Sequence, residues 1–580
     1  MKILFTTLSL VLLAGNLYSQ EKQQDSTKVE VLDEVLVKAI RVNADSPITH
    51  SNIKKEALEK RNLGQDLPIL LNFLPSVVTT SDAGSGVGYT GIRVRGISAQ
   101  STNITVNGIP YNDAESLGTY WVDLPDFASS VESLQLQRGI GTSTNGSGAF
   151  GASINILTDA IAEKASAEIS NTFGSYNTRK HNVKFSTGTL NNHFEIAGRF
   201  SQINSDGYID RATSDLKSYF LQASYVDDNT LIKAITFGGH EVTYQAWNGI
   251  DAETLATDRT FNPSGMYTDD NGLVKFYENE EDNYKQDHYQ LHWNERYNNN
   301  WTTNIGLNYT YGRGYFEQYK EDENFADYDL TPIIIGGETI NETNLIRRRW
   351  LDNYFYVLNA NATYKNSELE FILGTSLSNY KGDHFGEIIW AEYASSSQIR
   401  DHYYESESKK NDVNIFGKLT YNLNNSWTLF TDLQGRFVTF KTSGLTSDRN
   451  SINVDESYSF FNPKAGLTYK YNNFSSFYLS YARANKEPNR NDFENAVNTS
   501  EKLNDFELGW RLSNKNFKIN TNIYYMLYKN QLVLTGAIDD TGAPLRATSG
   551  KSYRLGLEVD ALIRLSNKFS LQPNIAISSN

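Results

Sequence analysis

From about residue 160 to the end of the chain, apolar and polar residues alternate with a period of two. In one such stretch Trp301, Leu307 and Tyr309 share one face, while Thr, Asn and Gly fill the positions between them. Residues 517–528 repeat the pattern. A period of two is that of a β-strand, and a face of this kind suits hydrocarbon while the other suits water. The pattern therefore predicts strands that turn their apolar face to lipid.

The connections between these segments are of two unequal kinds. Very short Asn-rich turns precede aromatic residues, as at 298–300, 424–426 and 472–473. Long polar connections alternate with them, near 243–283, 314–346, 381–409, 441–457, 487–500 and 531–549. A soluble β-sandwich also alternates, but it hides its apolar face in a core and does not need such unequal connections. We therefore predict a transmembrane antiparallel β-barrel over 161–580, with short periplasmic turns and outward loops.

The strand count raises a question of closure. About 17 strands are counted between residue 163 and the C-terminus, and the last one, 570–580, ends without a terminal aromatic residue. Bacterial single-chain barrels have even strand numbers, and lipid offers no partner to an unpaired edge. The expectation is an incomplete barrel with an open seam between the segments at 163–174 and 568–580.

Composition narrows the class of protein. The chain has 580 residues, among them 36 Tyr and 29 Phe, with no cysteine and a net charge of -15. The acidic balance argues against nucleic-acid binding. The one long apolar run begins after Lys2 and extends to Ala14, and mostly small or polar residues follow it up to Ser19, which is typical of a signal peptide spanning 1–19.

Residues 20–160 lack the strand alternation of the barrel region. Residues 20–45 form a polar leader, and 46–160 are typical of a compact α+β domain, with helices predicted around 53–61 and 65–71. Its glycine-rich pieces at 84–88 and 139–141 lack the Lys-Ser/Thr of a phosphate loop. No catalytic or metal-binding motif is recognised, so we expect no enzyme activity, no cofactor and no metal.

Five segments of this domain carry a family resemblance. They read LLNFLPSV at 70–77, IRVRG at 92–96, VNGIP at 106–110, VESLQLQRG at 131–139 and GSGAFGASINI at 146–156. In this order they resemble the plug of the TonB-dependent outer-membrane receptors. The resemblance implies a barrel of 22 strands with the plug inside its lumen, in the cell outer membrane. It also implies active import of a scarce small molecule, with TonB and its ExbB/ExbD partners on the periplasmic side.

The leader holds a candidate site for that energy coupling. Its residues are Asp33, Glu34, Val35, Leu36, Val37, Lys38 and Ala39, which resemble a TonB box. An extended Val/Leu segment on a polar leader suits strand addition to a partner's sheet. The alternative is that the segment is simply the first strand of the plug.

The resemblance also implies an ionic contact between plug and barrel. Family members pair two plug arginines with two barrel glutamates, and the matching residues here are Arg95, Arg138, Glu507 and Glu558. Strand parity agrees, because the apolar faces of 506–512 and 553–559 leave both glutamates on the lumen side. The alternative is a solvated lumen wall with unpaired charges.

The sequence determines the identity of the imported ligand less closely than it determines the fold. Glycan importers of this family often carry an extra N-terminal domain, and only about a dozen residues of the leader precede the box, which favours a ferric siderophore or other iron chelate. Candidate contacts near the barrel mouth are Trp247, Tyr267, Trp390, Tyr393, Tyr403, Tyr404, Arg449 and Arg490, with plug loops 79–91 and 111–121 as the floor. Aromatic and basic groups suit anionic aromatic chelates. Haem, vitamin B12 and carbohydrate remain alternatives, and His384 and His402, placed in one loop, are candidates for haem. A binding or adhesion protein without transport is the alternative of another class.

Overall fold

The computed structural model describes residues 41–43, 45–146, 149–538 and 544–580. The predicted signal peptide and the predicted TonB box at 33–39 lie outside the described residues. Within the described ranges, no helix is both long and apolar enough to cross a membrane.

The N-terminal domain is a small α+β unit around a mixed sheet. Its strands are β1 His50–Lys54, β2 Val77–Ser81, β3 Thr90–Val94, β4 Thr102–Val106, β5 Ile109–Pro110, β6 Val131–Arg138 and β7 Ala152–Thr158. Its helices are α1 Lys55–Glu59 and α2 Leu67–Leu70, with 3-10 turns at Ala99–Ser101, Trp121–Asp123, Phe127–Ser130 and Ser143–Asn145. The sheet order is β1-β6-β7-β4-β5, and β2 and β3 form a separate hairpin. The first helix begins later than predicted because Ile53 pairs with Leu134 in the sheet.

The remaining strands build a barrel and its outer hairpins. They are β8 Ser166–Phe173, β9 Arg179–Ser186, β10 Phe194–Ser205, β11 Ser214–Val226, β12 Thr230–Tyr244, β13 Met266–Thr268, β14 Val274–Phe276, β15 Glu281–Arg296, β16 Trp301–Asn324, β17 Ile333–Ile335, β18 Glu338–Ile340, β19 Glu342–Lys365, β20 Leu369–Ala391, β21 His402–Asn422, β22 Trp427–Leu445, β23 Ser451–Asn472, β24 Ser475–Lys486, β25 Glu501–Ser513, β26 Phe517–Lys529, β27 Leu532–Ile538, β28 Pro544–Thr548, β29 Lys551–Arg564, β30 Ser570–Leu571 and β31 Asn574–Ser579. The connections also hold α3 Ala252–Thr257, α4 Arg490–Glu494 and a 3-10 turn at Phe325–Tyr328. Three hairpins, β13-β14, β17-β18 and β27-β28, stand apart from the ring.

The strand order is a ring in which β31 stands next to β8. It runs from β10 round to β29, β30 and β31, and then to β8 and β9, which returns to β10. Within the described residues, however, the register of β31 is with β29 and that of β8 is with β9, and both strands are largely exposed. The predicted seam between 163–174 and 568–580 therefore stays a prediction. Because β30 and β31 both pair with β29 on either side of Pro573, they are two pieces of one interrupted strand. Counted in this way the ring has about the predicted 17 strands. The expectation of an incomplete barrel likewise stays a prediction.

The barrel is apolar outside and polar inside, as the alternation predicts. In β16, Leu307 is 45% exposed while its neighbour Asn308 is 7% exposed. In β26 the same contrast separates exposed Ile523 from buried Asn522. Apolar side chains therefore form the surface that faces lipid.

The short turns repeat one local structure. The Asn298 side-chain oxygen accepts hydrogen bonds from the amides of Asn300 and Trp301, at 2.9 and 3.0 Å. Asn424 and Asn514 do the same for the amides that follow them. An Asn side chain that caps its own turn in this way explains why these turns are so short.

The strands differ greatly in length, so the barrel has one tall wall. The strands of this wall are β16 and β19 to β23, each 19 to 24 residues long, whereas β8 to β12 have 8 to 15. The predicted connections at 314–346 and 381–409 are therefore largely strand, and the loops between them are shorter than expected.

The N-terminal domain lies inside the ring. It receives hydrogen bonds from opposite parts of the wall. On β19, Asn359 Nδ2 donates to the backbone carbonyl of Gly108 in the plug, at 2.6 Å. On β24, the Lys486 amine donates to the Ser101 hydroxyl at 2.6 Å. The hydrophobic core of the domain also includes Phe220 and Phe237 of the barrel. Contacts on several sides are what a plug in a lumen makes.

Candidate functional site

The four predicted ionic residues of plug and barrel meet in one buried cluster. Arg95 Nη1 lies 2.6 Å from Glu507 Oε1, and its Nε and Nη2 each donate to a different oxygen of Glu558 at 3.0 Å. Arg138 Nε lies 3.2 Å from Glu558 Oε2. All four side chains are buried. A bidentate, charge-assisted contact of this kind is firmer than a surface ion pair.

The surroundings hold the cluster in place. Arg95 has a left-handed backbone, with φ of 53°, and its guanidinium lies 4.0 Å from the Tyr524 ring centre. Thr49 of the plug donates to Glu507 Oε2 at 2.6 Å. Asp505 is a third carboxylate, 4.0 Å from Arg95 Nη1. Sequence reasoning missed it, although strand parity places residue 505 on the same face as Glu507.

A second buried anchor joins the plug to β9 and β10. Asp126 lies 2.5 Å from Lys180 Nζ and 3.4 Å from Arg199 Nη1. It also accepts hydrogen bonds from Asn182 and Ser201 of the wall. Burial alone raises the pKa of Asp126, but the two cations outweigh it and bring that pKa to about 2. The carboxyl is therefore an anion at neutral pH.

The predicted ligand contacts do not form one site. The Tyr319 ring centre lies 4.7 Å from that of Tyr267 and 6.4 Å from that of Trp390, so these three make one group. Trp247 belongs to another, against Tyr89 of the plug at 5.7 Å. The eight candidates are spread over several parts of the outer rim.

Two of the candidate tyrosines serve packing. Tyr403 and Tyr404 are buried in a hydrophobic cluster with Tyr328, and Tyr393 packs against that cluster. Arg449 donates to the Tyr403 carbonyl and to Asp329 Oδ1, both at 2.8 Å. In this structure these side chains hold the outer loops together.

The plug supplies a floor beneath the rim. In the predicted loop 79–91, the Tyr89 hydroxyl donates to Glu241 Oε1 at 3.2 Å and also to Asp282. In the predicted loop 111–121, Glu115 contacts Arg490 of α4 and His384 of β20. Glu115 was not predicted as a site residue.

The two candidate haem histidines do not share a loop. His384 lies inside β20, whereas His402 is the first residue of β21 and its ring stacks on Phe385 at 4.3 Å. His384 is bonded to the plug carboxylate Glu115 at 2.8 Å. The expectation of one His-bearing loop is wrong because the strands continue far beyond the predicted ends.

Two family models match the chain, and together they cover most of it. Residues 42–153 match the TonB-dependent receptor plug domain. Residues 224–578 match the TonB-dependent receptor-like β-barrel.

Relatives and solved structures agree with these matches. A probable TonB-dependent siderophore receptor, PirA of Acinetobacter baumannii, is 26% identical over 47% of this chain and 37% of its own length. The ferrienterobactin receptor of Escherichia coli K12 is 22% identical over 57% of this chain and 50% of its own length. The chain thus spans half or less of these two relatives. The copper transporter OprC shares the fold, with a TM-score of 0.71 and 13% identity over 93% of this chain and 81% of that one.

Proposed function

Because the chain belongs to the TonB-dependent receptors of the outer membrane, we propose that it imports a ferric siderophore or a similar iron chelate. The observation that carries this proposal is a plug held inside the barrel by two buried ionic anchors. A barrel filled in this way is not an open diffusion pore. Passage of a ligand requires the plug to move, which calls for a source of energy.

The iron-chelate class draws support from the two curated relatives, whose names refer to siderophore receptors. The outer rim also offers the kinds of group that such ligands need. Tyr267, Tyr319 and Trp390 present rings, and Arg490 presents a guanidinium beside the plug. Rings stack on flat aromatic chelators, and arginine matches anionic oxygen atoms.

We assign energy coupling to TonB, which would work together with ExbB/ExbD and bind residues 33–39 of this chain. Val35→Pro removes a backbone donor and blocks strand addition. Cells with this variant are expected to bind labelled ligand at the surface and to accumulate none inside. The matched control is Val29→Pro, which places the same substitution in the leader ahead of the predicted box.

Two outcomes contradict the assignment. Unchanged uptake in Val35→Pro cells places the coupling segment elsewhere, or shows that transport needs no such segment. Loss of surface binding shows instead that the substitution disturbs the plug.

The ligand class is tested by uptake in cells that lack their own receptors. Cells expressing the chain receive labelled iron as a ferric triscatecholate, ferric citrate or haem, or receive labelled cobalamin or maltodextrin. Accumulation of one of the first two supports the proposal. Accumulation of haem, cobalamin or maltodextrin alone identifies the importer as another type, and binding without any accumulation favours the adhesion alternative.

A further inference from the structure

One plug carboxylate is enclosed by donors of the barrel. Glu115 is 4% exposed, although it lies in a loop that faces the outer rim. It accepts hydrogen bonds from the Tyr380 hydroxyl at 2.9 Å and from Arg490 Nη1 at 3.0 Å, and His384 Nε2 lies 2.8 Å away. Two donors and one imidazole nitrogen, from three barrel residues, surround one carboxylate, as in a receptor site for an anion.

Arg490 is held independently of Glu115. Arg490 Nη2 donates to the Ser406 hydroxyl at 2.8 Å, and its Nη1 also donates to Ser408 at 3.1 Å. Its Nε donates to Glu494 at 2.7 Å, within the same short helix α4. Asp492 of this helix is paired in turn with Arg546 of β28, at 2.9 Å. The guanidinium would therefore keep its place if Glu115 moved away.

The carboxylate is an anion in this setting. Burial raises the pKa of Glu115, but His384 and Arg490 outweigh burial and hold that pKa well below its usual range. The site thus already binds a carboxylate, and it does so with groups that a ligand could use in the same way.

The loop that carries Glu115 is also tied to the barrel through its backbone. Three hydrogen bonds reach its backbone from the barrel side: Lys410 Nζ to Ala114 O at 2.8 Å, Asn489 Nδ2 to Ser116 O at 2.9 Å, and the Arg490 amide to Glu115 O at 3.2 Å. Two of these three come from the α4 segment that holds the carboxylate as well. A change at this one place loosens the contacts of the loop with the barrel, while Asp113 Oδ1 still accepts hydrogen bonds from the amides of Glu115 and Ser116 within the plug.

We propose that Arg490, His384 and Tyr380 form a binding site for a carboxylate or equivalent anionic oxygen group of the imported chelate, and that Glu115 occupies this site until the ligand replaces it. The inference rests on the proposed import function. It names the charge class of the ligand, which is anionic, and a plug loop that ligand binding releases.

Binding of a ferric triscatecholate and of ferric citrate to the purified full-length protein tests the inference, with ferrichrome, a neutral ferric hydroxamate, as the comparison ligand. Glu115→Gln keeps the shape of the side chain and removes its charge. Its affinity for the anionic chelate is expected to rise by about 10- to 100-fold, because the neutral side chain competes less strongly for the charged donors. Affinity for the neutral chelate is expected to stay unchanged.

The matched control is Glu494→Gln, because Glu494 pairs with the same arginine but is 30% exposed and lies outside the enclosure. It is expected to leave the affinity nearly unchanged. Arg490→Gln is expected to weaken binding of the anionic chelate and to cancel the effect of Glu115→Gln. If Glu115→Gln fails to fold, Glu115→Asp measures the same competition, since its shorter side chain competes less well and binding should still tighten.

The two proposals fail in distinguishable ways. If the wild-type protein binds an anionic chelate and Glu115→Gln binds it equally or less tightly, the inference is overturned and the import function stands. If the wild-type protein binds none of the iron chelates, the iron-chelate function fails and the inference falls with it.

Discussion

At the scale of single residues, Gly139 shows how closely the plug fits the wall. Its φ is +77°, and a Cβ atom there would lie 2.5 Å from Asp505 Oδ2 and 2.6 Å from Glu507 Oε1. Gly139→Ala should therefore push the carboxylates away from Arg95 and lower the free energy of unfolding by about 1 to 3 kcal/mol beyond backbone strain. Thermal unfolding in detergent measures the change. Gly272→Ala is the control, with the same φ and nothing within 4 Å, and an equal loss in both variants would contradict the contact argument.

The ion pairs of Asp126 predict that the stability of the folded protein depends on pH in the acidic range. Its pKa in the folded protein, about 2, lies below the ordinary value of 3.8. Its contribution to stability is thus fully present above pH 3.8 and is lost as the pH falls through about 2. Asp126→Asn should be less stable than the wild type at pH 5, and the gap between the two should narrow between pH 3.8 and 2. Melting temperatures at several pH values give the test, and a gap that does not change with pH would count against it.

The residues of the ionic cluster could be predicted from the sequence, but the role of Glu115 could not. Strand parity placed Glu507 and Glu558 in the lumen, and the family resemblance supplied their plug partners. Glu115 lies in a loop without periodicity, and its partners are 265 to 375 residues away along the chain. No local pattern links residues at such separations.

At the scale of elements, the barrel is apolar outside and polar inside, so the lipid-facing side of a strand should tolerate a charged substitution less well than a water-exposed position does. Leu307→Arg puts a charge on the lipid-facing side of β16 and should destabilise the barrel by about 2 to 4 kcal/mol. Ile334→Arg, in strand β17 of the β17-β18 hairpin, changes a side chain that is 75% exposed and lies outside the ring. It should have almost no effect. The fraction of folded barrel on a cold detergent gel compares the two, and equal folding of both variants would contradict the lipid-facing assignment of Leu307.

Strand existence was predictable, whereas the outer strand ends were not. The apolar alternation marks only the part of a strand that meets lipid. Beyond it, β19 contains Arg347, Arg348 and Arg349, and β21 contains Glu405 and Glu407, with polar groups on both faces. Outside the membrane both faces of a strand meet water or other polar groups, so the period of two carries no apolar signal there.

At the scale of the whole molecule, β31 and β8, which stand next to each other in the strand order, are both poorly covered. All six residues of β31 are exposed, and most of β8 is exposed as well. We expect amide hydrogens in 574–579 and 166–173 to exchange faster than those in β19 and β20. Hydrogen exchange followed by mass spectrometry measures this. Equal protection in all four strands would contradict this expectation and show that β31 and β8 are as firmly paired as the strands of the tall wall.

The number of strands could be predicted from the sequence, but the break in the last strand could not. An odd count, together with the general preference for even numbers, predicts an unpaired edge. The structure has about the predicted 17 strands, and Pro573 divides the last one into β30 and β31, which both pair with β29. Proline lacks the amide donor that a continuous strand would use at this position.

The tall wall has a consequence for how molecules arrive. A strand of 24 residues, tilted as barrel strands are, rises roughly 60 Å, about twice the hydrocarbon thickness. Solutes that diffuse toward the mouth from the side of β16 to β23 meet this screen first, while those from the side of β8 to β11 meet a low rim. Fewer solutes reach the mouth from the side of the tall wall. A solute that crosses the low rim, however, is stopped by the wall opposite and remains near the plug. The shape thus lowers the rate of encounter but lengthens the residence time of a solute in the mouth, which suits a scarce solute.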